Sequence, residues 1–146
     1  MRKRSIRGFT LVETLMTLFV TTSFTLLPIL SIAQVQEKVE IEQFFARLEK
    51  RILASQQAAI TGMLPSEIRI NDTSVYFRTL VSTGIDWSLL TIPKELVYTG
   101  TSKLIFAMNS GNNSSLSKMN FYWKEKKKTI SYQFQMGSGR YIKKIE

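Results

Sequence analysis

The residues best placed to take part in chemistry lie at the start of the chain, in Gly8-Phe9-Thr10-Leu11-Val12-Glu13. Four cations, Arg2, Lys3, Arg4 and Arg7, precede them, and an apolar stretch from Phe9 to Ile32 follows. Glu13 is the one acid in that stretch. A carboxylate at the centre of a membrane-spanning helix costs roughly 2.5–3.5 kcal/mol, and such residues are usually functional. Hydrolysis of the Gly8–Phe9 bond would leave the new ammonium of Phe9 four residues from Glu13, on the same helical face. The carboxylate could then pair with its own N-terminus or with that of a neighbouring copy. Gly8 suits a protease that must approach the backbone closely, because it has no side chain. This chemistry is done to the chain rather than by it.

Two plainer readings compete for the same stretch. One is a secretory signal peptide, with Ser31-Ile32-Ala33 as a small-residue cleavage site. It would release a secreted binding module after Ala33. The other is a passive single-pass anchor, for which about 20 apolar residues suffice. Neither needs Glu13, and the apolar stretch is about twice the usual 7–15-residue signal core.

The basic leader, Gly8 and the following Phe-Thr-Leu-Val-Glu resemble the leader of type IV pilins and pseudopilins. The resemblance implies cleavage between Gly8 and Phe9 and N-methylation of Phe9 by a prepilin peptidase. It also implies that Glu13 guides docking into a filament. A narrower likeness spans most of the chain. Ala54-Ser55-Gln56-Gln57, Gly111 to Lys118, Tyr132-Gln133 and Gly137-Ser138-Gly139 together resemble the ComGD-type minor pilins of competence pili in Gram-positive bacteria. The partners so implied are the prepilin peptidase, a major pilin and other minor pilins, the pilus assembly membrane protein and its ATPase, and membrane lipid before assembly. A pseudopilin of a type II-like secretion system is the nearest alternative.

Composition narrows the remaining classes. With no Cys and no His among 146 residues, disulfides, Ser-His and Cys-His nucleophile pairs and most zinc sites are excluded. No glycine pattern of a nucleotide-binding loop is present. The reading is of a non-enzyme with no catalytic residue, metal or cofactor. Only a pairing of carboxylates such as Asp72 with Asp86 could revive an enzyme.

The elements that must position these residues follow from periodicity. Residues 1–8 form the leader, 9–33 an apolar helix, 34–61 its amphipathic continuation and 62–146 an antiparallel β domain. Thr10, Thr14, Thr17, Thr21 and Thr25 form one stripe, either bonded to their own backbone or serving as a helix–helix seam, which is the reading favoured. Pro28 lies on that face and predicts a kink or local melting. Thr10, Thr14 and Pro28 thus join Glu13 as assembly residues. Further on, Ile41, Phe44, Phe45, Leu48, Ile52 and Ala59 share a face that should carry the sheet. Period-two segments predict strands at Ser66–Ile70, Ser74–Val81, Glu95–Tyr98, Lys103–Met108, Lys118–Trp123, Thr129–Met136 and Arg140–Ile145, the last three as a meander.

The expected fold is therefore α+β: a long N-terminal membrane-spanning helix whose lower half packs on a small antiparallel sheet domain. Positive residues stay cytoplasmic, which predicts a single-pass membrane protein with its N-terminus inside and the remainder outside, later in a surface filament. Of the formal charge of +9, the leader carries four units. The segment from Gly62 onward holds twelve basic and six acidic residues. Lys124, Lys126, Lys127 and Lys128 in a predicted hairpin loop could contact DNA, with Tyr122 or Trp123 stacking on bases. Trp123 alternates with core positions, which argues for its burial instead.

Overall fold

The computed structural model describes residues 10–62, 64–79, 89–113 and 115–146, the side chains of 27–34 excepted. Gly8, Phe9, Met63, Val81 and Asp86 lie outside the described residues. The chain divides into two units, Met1–Val39 and Glu40–Glu146. One α-helix, α1, covers Leu11–Thr61 and is assigned without interruption through Pro28, so the melting expected there does not occur.

In the first unit, Thr10 begins α1. Its Oγ1 accepts a hydrogen bond from the Glu13 N–H at 3.3 Å, and its carbonyl accepts from the N–H groups of Glu13 and Thr14. A hydroxyl residue followed three positions later by Glu is the pattern of a helix start. It also sets the Glu13 carboxylate in the first turn, near the positive end of the helix dipole. The threonine hydroxyls of the stripe bond within their own helix. Thr14 donates to the Leu11 carbonyl at 2.7 Å, Thr17 to Glu13, Thr21 to Thr17 at 2.9 Å and Thr25 to Thr21 at 3.0 Å.

Two expectations are corrected here. Among the described residues no helix is long and apolar enough to cross a membrane. The membrane-spanning helix of the expected fold and the single-pass membrane location are therefore not supported. Nor is the β portion one small sheet. It forms two four-stranded antiparallel sheets, ordered β3-β2-β1-β5 and β4-β6-β7-β8.

The strands of the second unit are β1 Ser66–Ile70, β2 Ser74–Thr79, β3 Leu90–Thr91, β4 Leu96–Gly100, β5 Lys103–Phe106, β6 Lys118–Trp123, β7 Lys128–Phe134 and β8 Tyr141–Ile145. The last three form consecutive antiparallel pairs, with Phe121 opposite Ile130 and Tyr132 opposite Lys143. The chain changes sheet between β4 and β5, at Gly100. A Cβ there would lie 2.4 Å from the Lys118 carbonyl, so only glycine allows the strand to leave its sheet at that point.

A single apolar core joins the two sheets to the helix residues of this unit. The stripe Ile41, Phe44, Phe45, Leu48, Ile52 and Ala59 is buried throughout. Phe121 is at the centre: its ring lies 5.5 Å from both Phe44 and Phe45, 5.1 Å from Tyr98 and 6.3 Å from Tyr132. Phe106 of one sheet meets Phe134 of the other at 6.2 Å. Edge-to-face and tilted aromatic pairs add about 0.5–1.5 kcal/mol each beyond area burial. Truncating Phe121 to Ala should therefore cost about 3–5 kcal/mol. Urea unfolding followed by near-UV circular dichroism measures this, and a loss under about 1 kcal/mol would mean that the aromatic cluster is not the centre of the core.

Candidate functional site

The residues singled out by sequence fall into three places. Gly8 and Phe9 lie outside the described residues. Thr10, Glu13 and Thr14 form the exposed first turn of α1, and Pro28 lies within the same helix. The lysines of the second unit lie at the β6–β7 turn, where Lys127 takes a positive φ of 49°.

That turn is less open than four adjacent cations suggest. Lys126 stacks its ammonium 4.2 Å from the centre of the Trp123 ring, and Lys124 donates to the Lys94 carbonyl at 3.1 Å. Trp123 is only 8% exposed and is unavailable for base stacking. Tyr122 faces outward, and Lys127 and Lys128 have no side-chain partner among the described residues. Two free lysines can attract an anionic polymer, but they have no aromatic platform of their own beyond Tyr122.

Gln56, Gly111, Asn113, Ser115, Ser117 and the turn Gly137–Gly139 are brought together in the fold. Gln56 of α1 donates its amide to the Gly111 carbonyl at 3.2 Å and to the Ser138 carbonyl at 3.3 Å. Gly139 packs so closely that a Cβ would lie 2.2 Å from the Gly111 carbonyl and 2.6 Å from Gln56 Nε2. Asn113, fully buried, accepts from the Ser115 N–H and hydroxyl at 3.1 Å, and its own carbonyl accepts from the Gly137 N–H at 3.3 Å. Ser115 and Ser117 share a hydrogen bond of 2.7 Å. The cluster therefore ties two loops to the end of the helix, while the buried Asn113 Nδ2 and the nearby Ser55 Oγ have no hydrogen-bond partner among the described residues. No free nucleophile or ligand set emerges from it.

A second polar cluster bridges helix and sheet. Tyr132 Oη and Lys143 Nζ both donate to Glu49 Oε1 at 2.7 Å, and the Lys143 ammonium lies 5.6 Å from the Phe45 and Tyr132 rings. Burial works to raise the Glu49 carboxyl, but the hydrogen bonds from Lys143 and Tyr132 outweigh it and hold it below 4.5. Burial and the bond to Glu49 push the Tyr132 phenol upward. Burial raises Tyr98 to about 12, so neither phenol is an acid–base group at neutral pH. This is a latch, not a proton-transfer site. Among the described residues no three His, Cys, Asp or Glu side chains converge as metal ligands.

Sequence reasoning missed a third cluster, on the outward face of the first sheet. Arg69 stands directly opposite Tyr76, and Glu67 directly opposite Arg78. Lys103 lies beyond Arg69 on β5. Arg69 Nε donates to Glu67 Oε1 at 2.6 Å and Lys103 approaches the same oxygen at 3.3 Å. The hydrogen bond from Arg69 chiefly holds the Glu67 carboxyl below its ordinary range. The alternation of Glu67 with Arg69 and of Tyr76 with Arg78 was the available signal.

Comparison with protein-family models, curated proteins and solved structures found no match to this chain.

Two measurements test the clusters. Because the Glu49 carboxyl is held below its unfolded value, its contribution is complete above about 4.5 and is lost as pH falls through the folded-state value. Glu49→Gln should cost about 1 kcal/mol at pH 7, discounted for partial exposure. The gap to the parent should narrow as pH falls through the folded-state value, as urea midpoints across an acid titration will show. Separately, Gly137 and Gly139 both have positive φ, but a Cβ at Gly137 meets nothing within 4 Å. Gly137→Ala should therefore cost about 1–2 kcal/mol and Gly139→Ala at least about 3 kcal/mol. Equal losses in thermal melts would remove the packing role assigned to Gly139.

Proposed function

We propose that this chain is a minor structural subunit of a competence-type pilus, a filament that serves DNA uptake, with no catalytic turnover of its own. Its leader is cut between Gly8 and Phe9 by a prepilin peptidase, and Phe9 is N-methylated. The subunit then joins a major pilin and other minor pilins, driven by an assembly ATPase. The observation that carries this reading is the surface of the first unit. Leu11, Leu15, Met16, Leu18, Phe19 and Phe24 are each more than half exposed on one helix that begins at Thr10 and Glu13. Contiguous exposed apolar surface of this kind calls for a partner. Equivalent helices of neighbouring subunits supply it, and Glu13 sets their register by pairing with a Phe9 amine.

Magnitudes separate the two roles open to Glu13. As a carboxylate in the first turn it stabilises its own helix by about 0.3–1 kcal/mol, too little to decide whether the chain folds. As the partner of an ammonium in an apolar filament interior its removal leaves an unpaired buried charge, which costs about 3–5 kcal/mol. Glu13→Gln should leave processing and the folded second unit intact and reduce filament number at least tenfold. Mass spectrometry of the mature chain should find an N-terminus at Phe9 with one added methyl group. A start at Gln34 would replace this reading with a secreted module, and normal filament numbers in Glu13→Gln would remove the register role.

A further inference from the structure

We propose that the outward face of the β3-β2-β1-β5 sheet is a binding platform for single-stranded nucleic acid, centred on Tyr76. The proposal stands on this face alone and does not depend on the pilus reading. The inward side of the same strands is fixed in the core: Ile68, Ile70, Val75, Phe77 and Leu104 are all buried. The outward side is correspondingly a rigid, pleated surface, on which directly opposed side chains lie about 4.5–5.5 Å apart.

Tyr76 is 46% exposed at the middle of β2. Across one line of the sheet run Lys103, Arg69 and Tyr76; across the next run Ile105, Glu67 and Arg78. Arg69 across the strand pair and Arg78 two residues along β2 thus flank Tyr76, with Lys103 one strand beyond Arg69; the one carboxylate among them, Glu67, is already paired with Arg69 and Lys103. Arg69 uses Nε for Glu67, so its terminal N–H groups stay available. Arg78 has no hydrogen bond or ion pair among the described residues. It also lines two adjoining depressions. One, of about 490 Å³, contains Arg69, Asn71, Tyr76, Phe77 and Arg78; the other, of about 240 Å³, contains Pro65, Glu67, Arg78 and Ile105.

An exposed aromatic ring on a flat sheet, with guanidinium groups on either side, matches what an unpaired strand presents. Bases stack on the ring and on the arginine planes, while phosphates meet the cations. A duplex hides its base faces and offers only phosphates, so it would bind this surface more weakly. The β6–β7 lysines have only Tyr122 exposed beside them and no guanidinium among them, since the neighbouring Trp123 is buried beneath Lys126.

The test uses the purified full chain, a fluorescein-labelled oligothymidylate of about 15 nucleotides, a duplex of equal length and inorganic polyphosphate as competitor. Fluorescence anisotropy should show tighter binding to the single strand than to the duplex, with polyphosphate a poor competitor per phosphate. Tyr76→Ala should weaken single-strand binding roughly 5- to 20-fold, and Tyr76→Phe should preserve it. Tyr76→Leu, which keeps apolar cover on the strand, should weaken it to the same extent as Ala and guards against a folding defect. Arg78→Gln should lower the salt-dependence slope by about 0.7. The proposal is overturned if the full chain binds neither oligonucleotide. Unchanged affinity in Tyr76→Ala and Tyr76→Leu also defeats it, as does polyphosphate competing as well as the oligonucleotide. Loss of binding only when Lys124, Lys126, Lys127 and Lys128 are all changed to Gln would move the site to the hairpin and defeat it equally.

Discussion

The second unit depends on one constraint: a single face of α1 must satisfy two sheets at once. Phe44 and Phe45 meet Phe121 of one sheet, while Arg51 lies 5.5 Å from the Phe77 ring of the other. The sheets also touch each other directly, through Phe106 and Phe134. A helix stripe about 100° wide can cover only part of such a core, so the sheets must close the rest between them. Large aromatic rings suit that geometry, since each reaches several neighbours from one backbone position. Tyr132 shows the cost of doing so. Its buried hydroxyl needs an acceptor, and Glu49 supplies one from the flank of the same helix that carries the apolar stripe.

The same constraint explains where polar groups sit. At the end of α1, loops between strands of both sheets must be held close to a helix that offers mostly apolar side chains. Gln56 resolves this by capping two carbonyls from different loops with one amide. The glycines at 111 and 139 allow the backbones to approach closely enough for that amide to reach both. The serines and asparagine beside them are committed to holding loop shape. The string of small polar residues therefore reads as structural once its contacts are known.

Much of this order was legible in the chain. The stripe from Ile41 to Ala59 shows because a core helix repeats its apolar residues every three or four positions. Most strands show because Met119, Phe121 and Trp123 alternate with polar neighbours. Strand β3 does not, since Leu90–Thr91 is two residues long and exists only through pairing with Ser74 and Val75. The division into two sheets is equally hidden: β1 pairs with β5 and β4 with β6, choices made by long-range contact and not by local pattern. Hydrophobicity alone misled over residues 9–33, where a long apolar run suggested a membrane span. Among the described residues no helix is long and apolar enough for that span.

Register also decides which charged residues act together. In sequence Arg69 and Arg78 are nine positions apart, and Lys103 is far beyond both. Antiparallel pairing of β1 with β2 and of β1 with β5 sets Arg69 and Arg78 beside Tyr76 and Lys103 one strand beyond Arg69. By contrast, Lys124, Lys126, Lys127 and Lys128 are conspicuous because only Glu125 interrupts them, yet a tight turn points neighbouring side chains in different directions and two of them are engaged locally. A run of like charges in a loop chiefly raises the local potential, which falls off within about 10 Å at 0.1 M salt. A patch built across three strands adds fixed geometry to potential, and fixed geometry is what recognition of a ligand requires. The basic character of this unit is therefore better read from the paired strands than from the densest cluster of lysines.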